Sequence, residues 1–159
     1  MPTVDVMDET FVVAPPATLK EAISDPASWA LWWPDLVLTV FADRGDEGIR
    51  WTVSGEWTGS QEIWLEAVGD GTVLHYFLRI DPTAPGGPHA RLSGRAAARV
   101  SLARQTASKR IAFMLKDHLE GDRPPGVPPS PTSSSTEVSP PTPKPVTHVA
   151  HPAEQGTRG

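Results

Sequence analysis

Apolar positions along the first 121 residues follow two periods, and each change of period marks a new element. Val4 to Val13 is rich in β-branched residues and predicts a first strand. APPATLKEAIS follows; its proline pair suits the first turn of a helix, where a missing N–H costs nothing. Leu19, Ala22 and Ile23 then fall at i, i+3 and i+4, giving that helix one apolar face. DPASWALWWP starts a second short helix, with Asp25 as N-cap and Pro26 at the first helical position. Pro34 disfavours helical geometry at Trp33 and ends it there.

Four strands come next in quick succession. LVLTVFAD turns through RGDEG into IRWTVSGEW, a Thr-Gly step leads into SQEIWLEAV, and GDG turns into TVLHYFLRID. Gly45, Gly48, Gly69 and Gly71 are placed where hairpins call for positive φ. Period two puts Ile49, Trp51, Val53, Gly55 and Trp57 on one face, joined by Ile63, Leu65 and Ala67, and by Leu74, Tyr76, Leu78 and Ile80. Trp64, His75 and Arg79 then point the other way, toward solvent. PTAPGGPHA reads as a loop. From about Arg91 to Glu120 there is no proline. Ala96, Val100, Ala103, Ala107, Ile111, Leu115 and Leu119 recur at steps of three or four, the mark of a long amphipathic helix. Gly121 and the prolines at 124 and 125 stop it. The order is β, α, α, four antiparallel strands, then one long helix. A curved antiparallel sheet of about five strands with that helix lying across it buries every apolar face, so the fold class is α+β.

Composition divides the chain in two. Beyond Asp122 it turns to Pro, Ser and Thr with few large apolar side chains, as in VPPSPTSSSTEVSPPTPKP. Such a segment buries too little surface to offset its ordering entropy. We therefore expect a domain over 1–121 and a disordered tail over 122–159. The tail's Ser–Pro and Thr–Pro steps suit phosphorylation or a Pro-binding partner, and equally a plain spacer. The 159 residues include no cysteine, which excludes disulfides and thiolate chemistry. MPTVDVMDETFVV carries acid where a signal peptide carries base, and no run approaches the ~18 apolar residues of a membrane span. The expected location is the cytoplasm.

A formal net charge of −5 argues against specific nucleic-acid binding. Basic residues nevertheless gather on the long helix (Arg91, Arg95, Arg99, Arg104, Lys109, Arg110, Lys116), which suits a solvated face or a weak contact with an anionic surface. His75, His89 and His118 are scattered and His148 and His151 lie in the tail, so no metal site is read and no cofactor is expected. There is no phosphate-binding glycine motif. Glu62 and Glu66 share the outward face with Trp64 and read as solvating carboxylates. Three of the six tryptophans, Trp29, Trp32 and Trp33, share one helical face. They suit clamping the short helix to the sheet, rimming a pocket, or presenting an adhesive surface.

FVVAPPATLKEAISD running into PASWALWWP, the glycine-punctuated meander ending GDGTVLHYFLRID, and the closing helix with KRIAFMLKDHLE resemble the START/Bet v 1-like (SRPBCC) helix-grip superfamily. Within it the likeness is to the bacterial polyketide cyclase/dehydrase-type branch. The resemblance covers roughly residues 3–121. It implies a cavity between sheet and long helix that holds a small hydrophobic or aromatic ligand, lipid or polyketide-like. On this chain the ligand would be held by Trp33, Trp51, Val53, Trp57, Tyr76, Leu78, Ala107 and Ile111; the Tyr76 phenol is either satisfied by a neighbour or water or donates to a ligand carbonyl. Two alternatives stand beside binding. One is a cyclase, aromatase or dehydratase, which needs a base and an oxyanion donor in the cavity; a one-residue shift of phase would bring in His75 and Arg79. The other is an interaction protein working through the basic helix or the tail.

Overall fold

The computed structural model describes residues 2–84, 87–88 (backbone) and 92–121; the tail, His89 and Arg91 lie outside the described residues. The elements follow the expected order. They are β1 (Val4–Val12), α1 (Pro16–Ile23), α2 (Pro26–Trp32), β2 (Val37–Asp43), β3 (Gly48–Ser54), β4 (Trp57–Val68), β5 (Gly71–Ala84), β6 (Gly87–Pro88) and α3 (Gly94–Glu120). A 3-10 turn at Gly45–Glu47 joins β2 to β3. The sheet is antiparallel in the order β1-β5-β4-β3-β2, and the two residues of β6 pair with the end of β5.

Register brings the apolar sets together. Val4, Val6, Asp8, Thr10 and Val12 of β1 face Ile80, Leu78, Tyr76, Leu74 and Thr72 of β5, all buried. Ile63 and Leu65 of β4 lie opposite Tyr76 and Leu74, and Ile49 of β3 lies opposite Ile63. This inner face is covered by α3, α1 and α2. Asp25 caps α2 as expected, its Oδ1 accepting from Ala27 N at 2.9 Å. Ser93 caps α3 by accepting from Ala96 N at 3.3 Å.

The expected helix face on α3 is slightly rotated. Ser108, Ala112 and Leu115 are its buried residues, and Ala103 is exposed because Arg104 takes the inward place beside it. Ala67 is exposed as well, near the open end of the sheet. The expected β3 is also too long. The chain turns after Ser54, with Gly55 at φ 98°, so Trp57 opens β4 and does not share a strand with Trp51. At the far end β5 runs three residues past Asp81 into the expected loop, because Pro82 still pairs with Trp57 and Thr83 N donates to Glu56 O at 2.9 Å.

α3 also closes the free edge of β1. Lys109 Nζ donates to Glu9 O at 2.9 Å and pairs with Asp8 at 2.8 Å. Lys116 Nζ donates to Phe11 O at 3.0 Å, and Glu120 Oε1 accepts from Val13 N at 2.7 Å. An open edge strand is a template for unwanted pairing, and here helix side chains occupy two of its backbone carbonyls and the N–H just past its end.

At Gly48 the meander packs strand backbone against strand backbone, as it also does at Gly59. Gly48 has φ 119°, and a Cβ there would collide with the backbone carbonyl of Ile63. Gly48→Ala is expected to destabilise the fold by about 2 kcal/mol or more through strain and displacement of β4. Urea unfolding measures it; a loss of only a few tenths would contradict the close approach.

Candidate functional site

The space between sheet and α3 is built from aromatic side chains. Trp33 follows α2 in a non-helical conformation, φ −133° and ψ 65°, which turns its indole inward. It lies parallel to Tyr76, ring centroids 6.1 Å apart and planes 6° from coplanar. Trp51 meets Trp33 at 6.1 Å and takes the edge of Trp29 at 5.2 Å. Trp32 packs edge-on against Trp33 at 5.5 Å. Trp29 Nε1 donates to Ile23 O at 2.7 Å, tying α2 to the end of α1. Of the three uses open to the tryptophan segment, the indoles fill the interior: Trp33 is buried, and Trp29 and Trp32 are half-buried against the core. Burying a whole indole contributes roughly 4–6 kcal/mol gross, an upper figure.

What remains is a void of about 10 Å³ lined by Trp33, Ile63, Leu74, Tyr76, Ile111 and Leu115, with Ser108 and Ala112. That is room for one water at most. Among the expected ligand-holding residues, Trp33, Tyr76 and Ile111 line this void. Trp51, Val53 and Leu78 are fully buried in the adjoining core, and Ala107 is half-buried on α3. Trp57 stands apart at the rim, with the Arg104 guanidinium 5.6 Å above its ring.

Gln61 escaped the sequence reading, although period two from Ile63 and Leu65 sets it inward. It lies opposite Trp51 on β3 and Leu78 on β5. Its Oε1 accepts from Tyr76 OH at 3.0 Å. Its amide nitrogen and Trp51 Nε1 are both buried with no hydrogen-bond partner among the described residues. An unmet buried donor costs about 1–3 kcal/mol. Burial pushes the Tyr76 phenol above its ordinary range, so Tyr76 holds its proton and acts as a donor.

Arg104 fastens α3 to the loop after α2. It grips Asp35 with both terminal nitrogens, Nη1 to Oδ1 at 2.9 Å and Nη2 to Oδ2. The Arg104 guanidinium holds the Asp35 carboxyl below its usual range. Arg104, Lys109 and Lys116 thus serve structural bonds, while Arg95, Arg99 and Arg110 remain exposed on α3.

His75 does project from the outer face, as its phase predicts, yet it is buried rather than solvent-facing. It stacks on Trp64 at 4.4 Å, and its two ring nitrogens lie 3.1 Å from Glu9 Oε1 and 2.9 Å from Glu66 Oε2. Among the described residues, no three acidic or histidine side chains are grouped to hold a metal ion. No described helix is long and apolar enough to cross a membrane.

A curved antiparallel sheet closed by one long C-terminal helix, with two short helices after the first strand, is the helix-grip fold of START/Bet v 1-like proteins. The solved structures agree. A START superfamily protein from Mycobacterium smegmatis matches with a TM-score of 0.55 at 14% identity, covering 73% of this chain and 97% of its own. The Aha1 dimer from Colwellia psychrerythraea matches with a TM-score of 0.51 at 15% identity, covering 76% and 99%. At such identities the likeness is one of fold. No family model matches the sequence, and no curated protein matches it.

The Asp35–Arg104 pair has a pH signature. A carboxyl lowered in the folded state contributes stability above its unfolded pKa, ~3.9, and loses it as pH falls through the lower folded value. The melting-temperature difference between wild type and Asp35→Asn should therefore be largest at pH 5–7 and shrink below about pH 4. A difference constant from pH 7 to 2.5 would show that the ion pair contributes nothing.

Proposed function

We propose that this protein binds a small, apolar, partly aromatic molecule bearing a hydrogen-bond acceptor, on the inner face between sheet and α3. The observation that carries this reading is the pair of unpartnered buried donors, Trp51 Nε1 and Gln61 Nε2, in an otherwise apolar interior. A carbonyl oxygen entering there would relieve a cost that the ligand-free fold bears. The void of about 10 Å³ means that the ligand must displace side chains. The movable part is α2, seven residues long with none fully buried, whose departure would withdraw Trp33 from Tyr76. A ligand ring would then take the place of the Trp33 indole. The helix-grip fold supports a hydrophobic ligand of this kind.

A cyclase or dehydratase finds less support. Tyr76 keeps its proton, and the other groups around the void are apolar apart from the Ser108 hydroxyl. Asp8, on the same face, is committed to Lys109.

The test separates a structural from a ligand-binding role for the polar pair. Gln61→Leu with Tyr76→Phe removes the buried polar groups together, so the double variant should be as stable as wild type or more so. It should bind an aryl ketone such as 2-acetonaphthone about tenfold more weakly than wild type, with the hydrocarbon 2-ethylnaphthalene unaffected. Tryptophan fluorescence titration and thermal melts read both quantities. Failure of the wild-type protein to bind the ketone, or equal loss for ketone and hydrocarbon, would sink the proposal.

A further inference from the structure

The outer face of the sheet carries a second hollow, unrelated to the interior and far larger. It is a groove of about 540 Å³ running over β2, β3, β4 and β5. A β-bulge makes one of its walls. Val40 pairs with Trp51 and Ala42 with Arg50, so Phe41 is the extra residue between them. Bulges of this kind redirect a side chain. Here Phe41 stands 69% exposed at the groove. The opposite wall is Phe77, whose ring is held parallel to the immobilised His75 at 6.4 Å. Thr52 and Ser60, register partners on β3 and β4, give the floor two hydroxyls.

The charged lining of the groove is Arg50, Arg79 and Glu62. Its one carboxylate, Glu62, is spent on two arginines: Oε1 lies 2.8 Å from Arg44, and Oε2 accepts from Arg50 Nε at 3.1 Å and Nη2 at 2.8 Å. Arg79 lies opposite Ser60, with its side chain 61% exposed. It forms an exposed ion pair with Asp5, Nε to Oδ1 at 3.6 Å, longer than a hydrogen bond and weak in solvent. Two aromatic walls, a hydroxyl floor and an exposed arginine held only by a loose ion pair describe one kind of occupant.

We propose that this outer groove binds a flat aromatic carboxylate, with its rings between Phe41 and Phe77 and its carboxylate on Arg79, assisted by Arg50. Arginine suits this because its planar fork matches a carboxylate with two parallel bonds. A groove of about 540 Å³ is within the range of small-molecule sites. A polyanion such as nucleic acid fits poorly, because Asp5, Glu9 and Glu66 flank the same face and the chain is acidic overall. The site stands independently of the interior reading.

Isothermal titration of the full chain with 2-naphthoate, and with the neutral 2-naphthalenemethanol, tests it. The naphthoate should bind about tenfold more tightly than the alcohol, and less tightly as salt rises. Phe41→Ala, at an exposed position, should weaken naphthoate binding about threefold to tenfold, and Arg79→Gln at least as much. The interior variant Gln61→Leu/Tyr76→Phe should leave it unchanged. The proposal is overturned by absence of binding at millimolar naphthoate, by equal affinity for acid and alcohol, or by Phe41→Ala and Arg79→Gln variants that bind like wild type. Loss of binding in the interior variant would also overturn it, by placing the ligand inside. So would a wild-type dimer by sedimentation that Phe41→Ala makes monomeric, since the face would then belong to a second copy.

Discussion

The Trp33–Tyr76 stack is the contact that decides how much space the interior of this structure leaves. It joins the residue that ends α2 to the centre of β5, across 43 residues of sequence, and fills the space that a helix-grip sheet would otherwise leave open. Trp51 and Trp29 extend the stack sideways, and Trp32 covers it. The interior is therefore packed with rings, which are large and rigid and lose little entropy when fixed. A molecule that binds here competes with side chains, not with water. Occupancy of this interior is a matter of exchange, one aromatic for another.

The polar atoms behind the rings form a small set. Tyr76 donates to Gln61, and Gln61 and Trp51 each retain a donor that no described residue satisfies. A fold selected only for stability would place Leu or Met at position 61 and Phe at 76. A buried amide at a strand position facing Trp51 and Leu78 costs stability, and costs of this kind concentrate where a protein binds something. The same contrast holds on the opposite face of the sheet, where Phe41 is turned into solvent by a bulge while two arginines divide one glutamate.

The long helix shows how little a charge pattern says about its use. Read in one dimension, the basic residues of α3 form a cationic face. In the structure Lys109 and Lys116 satisfy the edge of β1, and Arg104 clasps Asp35 over Trp57. These long side chains lay their apolar stems along the seam and place their charges at its rim. Their partners come from the first strand and from the α2–β2 loop, at sequence separations of 69 to 105 residues, which no local pattern encodes.

Element order, the caps at Asp25 and Gly121, and the parity of β5 and of most of β3 and β4 were legible in the sequence, because each depends on residues within a few positions of one another. Period two fixes which side of a strand a residue takes, and a proline or a cap fixes where a helix starts. That is why Trp51, Tyr76 and Leu78 were assigned to the inner face correctly, and His75 to the outer one. Trp57 was assigned to the wrong strand, because Gly55 turns the chain before it and a turn interrupts parity. His75 was read as solvated, because its burial comes from Trp64, Glu9 and Glu66 on neighbouring strands. Gln61 was legible only as a polar residue at an inward position. Only the tertiary structure decided the volume left between sheet and helix, the unmet donors at Trp51 and Gln61, and the groove beside Phe41. Each is a remainder, of space or hydrogen bonds or charge, left after side chains from distant segments have packed. Such remainders depend on the summed shapes of many residues, and no single stretch of the chain contains them.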